Sequence, residues 1–195
     1  MDPIKERRSI RKYKSRLLEK EMIDEILKAG ILAPSAKNRQ PWKFIVYQGK
    51  SKDELLGEME KGLLRERDGE AVLPGSKSGL SDAFHTLRVM REAPVLIVLL
   101  NINGASPFER IGSEERVAEI CDCLSIGAAV ENMLLKAAEL GIGSLWIANT
   151  FFAYPELADY IGTAHQLVGA VSLGYADEAP AARPRKSLEE AAEYR

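Results

Sequence analysis

The run Pro94-Val95-Leu96-Ile97-Val98-Leu99-Leu100 constrains this chain more than any other stretch, because large apolar residues follow one another there with no polar alternation. A strand of that kind has no face to offer water and must lie centrally in a sheet covered on both sides. The cover comes from helical patterns. Glu19 to Gly30 puts Met22, Ile23, Ile26, Leu27 and Ala29 on one side and Lys20, Glu21, Asp24, Glu25 and Lys28 on the other. Ser51 to Leu64 opens with an S-x-x-E capping box, and Gly79 to Arg91 carries Leu80, Phe84, Leu87 and Met90 at helical spacing. Further strands are expected at Trp42–Tyr47, Ser144–Ile147 and Gln166–Gly174, and a short helix at Tyr154–Ile161 with proline in its first turn. The polar stretch Arg65 to Ser78 reads as a surface loop or a lid.

The longest helical pattern runs from Glu114 to Leu140, and its second half is apolar nearly all round, from Leu124, Ile126 and Gly127 to Leu135, Ala137 and Ala138. Such a helix needs burial on every side, and its small residues allow another helix to approach closely, so a helix-to-helix dimer interface is expected. The tail beyond Ala176 has too little apolar content to fold alone, and it either frays or lies on another subunit. At 195 residues the chain can bury about 70% of its unfolded surface as a single domain, 1–195. Disulfides are not needed, and Cys121 and Cys123, two apart on a helix, point to different faces.

One charged cluster stands out. Arg7, Arg8, Ser9 and Arg11 bring three guanidiniums and a hydroxyl together, and forked N–H donors match the oxygens of a phosphate. Neither G-x-G-x-x-G nor G-x-x-x-x-G-K-[ST] occurs, so a phosphate would be held by side chains. Asp2 and Pro3 read as N-cap and first residue of a short helix carrying Lys5 to Arg8 towards the ligand. A basic arm can also be merely solvated. A second stretch, Ala33-Pro34-Ser35-Ala36-Lys37-Asn38-Arg39-Gln40-Pro41-Trp42, argues otherwise: it is a stiff loop dense in short donors and acceptors, suited to a polar heterocycle.

Together, R-R-S-x-R and A-P-S-x-x-N-x-Q-P-W resemble the FMN-dependent nitroreductase family, and the Leu-Gly-Ile-Gly-Ser helix exit and the Arg183-Pro184-Arg185 tail extend the likeness. The resemblance implies an α+β fold, a mixed central sheet flanked by helices, in a homodimer that holds FMN at its interface and has an extended C-terminal tail, with 176–195 as an arm on the partner. Arg7, Arg8, Ser9 and Arg11 match the first flavin motif, with Arg11 near flavin N1 and O2. Pro34, Ser35, Asn38 and Gln40 match the second, reaching the cofactor from the partner subunit. The backbone at Ile147, Ala148 and Asn149 passes flavin N5, and Ala148 departs from relatives that carry an acid there. Arg183 and Arg185 close on the phosphate. His85 and Arg88 can reach the pyrimidine, or be plain surface residues, and Glu131 is structural.

The implied activity is a ping-pong oxidoreductase: NAD(P)H reduces FMN, and a small electron-poor acceptor of the nitroaromatic or quinone class is reduced in turn. Alternatives are reductive dehalogenation, flavin fragmentation, or a non-catalytic flavin- or nucleotide-binding module. A net charge of −2 and the absence of an aromatic-rich basic face speak against a nucleic-acid partner. No apolar run reaches membrane-span length and no signal-like segment opens the chain, so a soluble cytoplasmic protein is expected.

Overall fold

A computed structural model describes residues 2–195. The apolar run becomes strand β2 (Val95–Asn101), buried at every position. Alternate side chains of a strand point to opposite faces. Leu96, Val98 and Leu100 therefore join one core, while Val95, Ile97 and Leu99 join another on the far side of the sheet. With β1 (Trp42–Gln48), β3 (Gly143–Ile147) and β4 (Gln166–Gly174) the sheet order is β1-β2-β4-β3. The first core is closed by α3 (Gly49–Asp68), α4 (Leu80–Glu92) and α6 (Tyr154–Ile161), the second by α2 (Lys20–Ile31) and α5 (Ser113–Glu139). Two short helices, α1 (Pro3–Glu6) and α7 (Leu188–Ala191), stand at the chain ends.

The fold is α+β as expected, but every ladder is antiparallel rather than mixed. β2 and β3 do run parallel, joined by the α5 crossover, yet β4 inserts between them and pairs antiparallel with both. The single parallel pairing among the described residues is the bridge Ser9↔Ser144. That bridge belongs to an extended N-terminal arm that covers the open edge of β3, as edge strands require. Ile10 N donates to Ser144 O at 2.9 Å, Lys14 N to Tyr175 O at 2.9 Å, and Asp177 N to Lys12 O at 2.9 Å. Ile10 and Tyr13 are buried in the first core, and the Tyr13 hydroxyl bonds Ile10 O and Ser172 Oγ, each at 2.9 Å. Burial pushes the Tyr13 phenol well above its ordinary value.

Several local expectations are corrected. α1 stops at Glu6, short of Arg7 and Arg8, and Asp2 makes no side-chain cap; the Arg8 guanidinium instead folds back onto Lys5 O and Arg7 O at 2.7 and 2.8 Å. Ser51 is not an N-cap, because α3 starts two residues earlier, and its hydroxyl donates to Gln48 O. α3 also continues to Asp68, so the stretch expected as loop begins as helix. There Arg65 pairs with both Glu156 and the almost fully buried Glu66, whose carboxylate accepts from Val72 N at 2.7 Å and Leu73 N at 3.3 Å. This pins the first half of the loop to the body. Burial acts to raise the Glu156 carboxyl, but the bonds from Arg65 and a backbone hydrogen bond together hold it below its ordinary value. Pro74–Gly79 forms a 3-10 turn.

α5, about 40 Å long at 1.5 Å per residue, packs one side on the sheet through Ile126, Ala129, Val130, Met133 and Ala137. Its other side is only partly covered, and Val117, Ile120 and Leu124 are 61%, 52% and 70% exposed. The tail from Ala181 onward is exposed throughout, α7 included.

Candidate functional site

The docking of the arm on β3 and on the chain beyond β4 decides where the arginines go. With Ile10 and Tyr13 turned into the core, Arg7, Arg8, Ser9 and Arg11 are left half-buried at the surface. The tail then runs back past them, anchored by Glu178 Oε1, which accepts from Arg11 N at 2.5 Å. Arg183 and Arg185 thereby join Arg7, Arg8, Ser9 and Arg11 around one cavity of about 320 Å³. Lys5 is the sixth cation on its wall, and no carboxylate lines it. Lys5 and Arg7 have carboxylate partners, Asp2 at 3.3 Å and Glu131 at 3.6 Å, but Arg8, Arg11, Arg183 and Arg185 form no ion pair among the described residues, and like charge gathered in this way is unfavourable unless an anion shares it. A phosphate fits this donor set.

Arg7 and Arg8, with Pro180, also form the boundary to a second cavity of about 430 Å³ against Gly141, Ile142 and Gly143. Arg7 is steadied by Glu131 on α5, Nε to Oε1 at 3.6 Å, and Arg11 donates to Ser9 O at 3.2 Å. Glu131 thus has a structural role.

The second motif does not line either cavity. Pro34, Ser35, Asn38 and Gln40 sit on the α2–β1 loop, where Ser35 Oγ accepts from Gln40 N at 3.0 Å and Gln40 Nε2 donates to Asn38 Oδ1 at 3.3 Å. Ala36 N meets Ser125 Oγ at 3.2 Å, six residues before the Glu131 that holds Arg7, so the two motifs contact α5 about 9 Å apart along its axis and on different sides. Lys37, Asn38 and Gln40 all have left-handed φ, 54°, 53° and 47°. Each costs about 1 kcal/mol or more outside glycine, and such strain collects at functional sites. Arg39, which sequence inspection passed over, supplies the restraint: its guanidinium pairs with buried Asp122 at 2.7 Å, and Asp122 also accepts from Asn103 Nδ2. No pattern in the local sequence marks that pair, because its members lie 83 residues apart.

The strand end at β3 is the third part. Ile147 is buried in the first core, and Ala148 is exposed. The backbone here lies unusually close to β4: a Cβ on Gly169, whose φ is 148°, would meet Ile147 O at 2.6 Å. Asn149 opens a 3-10 turn (Asn149–Ala153) and its side-chain amide reaches α4, donating to Asp82 Oδ2 at 2.9 Å and Thr86 Oγ1 at 3.0 Å. Thr150 Oγ1, next in the chain, is buried without a partner, which costs about 1–3 kcal/mol. His85 and Arg88 stand exposed on the same helix, Nδ1 to guanidinium at 3.4 Å, outside the basic cavity. Cys123, on α5, is not a nucleophile candidate, since burial pushes its thiol up. No group of acidic, histidine or cysteine side chains among the described residues could hold a metal ion.

The scaffold is therefore a helix-covered antiparallel sheet whose N-terminal arm and tail enclose a cation-lined cleft. Over residues 4–175 the sequence matches the nitroreductase family, and the chain belongs to it. It is 34% identical, over 87% of its length and 80% of the relative's, to a protein of Archaeoglobus fulgidus named a putative NADH dehydrogenase/NAD(P)H nitroreductase. The crystal structure of a nitroreductase-like family protein from Bacillus cereus superposes with a TM-score of 0.75 at 26% identity, covering 99% of this chain and 94% of that one. The FMN-dependent nitroreductase NfnB of Mycobacterium smegmatis, crystallised with NADPH, shares the fold with a TM-score of 0.73 at 18% identity, covering 99% and 96%.

Proposed function

We propose that the chain is an FMN-dependent oxidoreductase that takes electrons from NAD(P)H and passes them to a small electron-poor acceptor. The observation that carries this reading is the cleft in which Arg7, Arg8, Arg11, Arg183 and Arg185 converge with no carboxylate among them. The relative from Archaeoglobus fulgidus is named for NAD(P)H, and NfnB for FMN with NADPH bound. Both agree with the chemistry of this donor set.

In this reading the arginines grip the phosphate, Ser9 bonds the ribityl chain or ring edge, and Arg11 supplies positive charge where the reduced ring gathers negative charge. FMN supplies the hydride chemistry when bound; the protein's part is to hold it, orient it and limit water. Ala148 and Asn149 present backbone to the ring, and the absence of an acid at Ala148 leaves the approach of the acceptor unhindered by charge. Ser35, Asn38 and Gln40 lie outside the cleft of their own chain, which supports a homodimer in which they complete the partner's site. The half-covered face of α5 and the tail, exposed from Ala181 onward, suit that assembly. One domain then spans 1–195. No helix among the described residues is long and apolar enough to cross a membrane.

The test is anaerobic. Adding NADPH or NADH to the FMN-loaded protein bleaches the flavin band, and a quinone or nitroaromatic restores it. A loaded protein that neither coenzyme bleaches is a binding module, not an oxidoreductase.

A further inference from the structure

We propose that Asn149 is a positioning residue whose side chain clamps the flavin-facing backbone of Ala148–Asn149 to α4. The inference rests on the flavin reading and adds to it a residue that the cofactor itself need not touch. Asn149 has a half-exposed side chain at a strand end, where a solvated amide would be unremarkable, yet both of its amide hydrogens are committed. One goes to Asp82 Oδ2 at 2.9 Å and the other to Thr86 Oγ1 at 3.0 Å, residues one turn apart on the same face of α4. Two bonds from one rigid amide fix an orientation as well as a distance.

Three neighbouring facts show what that clamp holds. Ile147 O is seated so close to Gly169 that a Cβ added there would meet it at 2.6 Å, so the backbone before Ala148 rests directly on β4. Thr150 Oγ1 is buried without a partner, so the turn after Asn149 gains no anchor from its own hydroxyl. Ala148 lies exposed between them with no side-chain polar group of its own. The clamp is therefore the side-chain hydrogen-bonded tie that joins this short segment to α4 among the described residues, the helix that also displays His85 and Arg88. It sets the spacing between the backbone at one side of the proposed flavin ring and the exposed face of α4, with Arg88, at the other. A misplacement of about 1 Å at a reacting centre can cost about 100-fold in rate.

The experiment compares the holoprotein with Asn149→Ala, Thr86→Val, Thr86→Ser and Asp82→Asn. Valine removes the acceptor at constant shape, serine keeps it, and asparagine at 82 keeps an acceptor oxygen while deleting the charge. The readouts are FMN affinity, the midpoint potential of bound FMN, and the single-turnover rate of bleaching by NADPH. We expect N149A to bind FMN within about threefold of wild type, because the phosphate cleft is untouched, while its potential shifts and its bleaching slows about 10- to 100-fold. T86V shows a smaller change in the same direction, and T86S and D82N stay close to wild type. If N149A loses its fold, the T86V and T86S pair decides in its place. FMN bound at wild-type potential and rate in both N149A and T86V overturns the clamp alone, and so does a D82N shift as large as that of N149A, which would assign the effect to charge. A wild type that takes up no FMN overturns the flavin reading and the clamp's role with it.

Discussion

Arg11 and Lys12 are adjacent and carry the same charge, but only Arg11 lines the cation-only cleft. Arg11→Glu is expected to weaken FMN binding about 30-fold or more, since a close charge pair turns from attraction to repulsion, while Lys12→Glu, at an exposed position, changes it less than about threefold. Equal losses by fluorescence titration would show that the arm faces the other way. Thr150 provides the opposite kind of test. Its hydroxyl is buried unpaired, so Thr150→Val should raise stability by about 1 kcal/mol, seen as a melting point about 2–4 °C higher. The arginine cluster was legible in the sequence because its charges lie within five residues, whereas Arg39 with Asp122, and Asn149 with Asp82, join positions far apart in the chain and leave no local trace. Ser35, Asn38 and Gln40 were legible as a motif, but the left-handed backbone at Lys37, Asn38 and Gln40 was not, because nothing in their side chains demands it.

At the scale of elements, the buried run of β2 dictated a sheet covered on both faces, and the strands fell close to where alternation placed them. Boundaries that depend on capping were less readable: the Ser51 box was displaced because the chain already turns helical at Gly49. The antiparallel sheet was not readable, because the insertion of β4 between β2 and β3 is a tertiary choice. Gly169 marks the irregularity where that insertion meets Ile147, at a register shift between Leu99 and Leu100. Gly169→Ala combines a left-handed φ with a 2.6 Å approach to Ile147 O, and should cost about 2–3 kcal/mol by denaturant unfolding. An unchanged midpoint would show that the strand can relax. The arm has its own signature in pH. Because burial raises the Tyr13 phenol above its ordinary 10.0, the stability it contributes is fully present below about pH 10 and is lost as pH rises further, when the unfolded chain ionises first. Tyr13→Phe should remove that alkaline slope and cost about 1–3 kcal/mol at neutral pH, since Ser172 Oγ and Ile10 O lose a partner.

Across the whole molecule, two apolar features remain exposed within one chain: the outer face of α5 with Leu124, and the end of the tail with Leu188. The proposed dimer through α5 would account for both and would bring the second motif to the cleft. Ala128→Asp should then abolish dimer and flavin binding together, because an unpaired carboxylate in such an interface is strongly unfavourable. Loss of the dimer with FMN retained would return the whole site to one chain. The most direct measurement for the account as a whole is the identity and amount of the bound cofactor in the purified protein, read from the supernatant after denaturation alongside sedimentation of the native sample. The predicted result is a yellow dimer that releases one FMN per chain and no FAD. A colourless protein that remains colourless after incubation with FMN would contradict it.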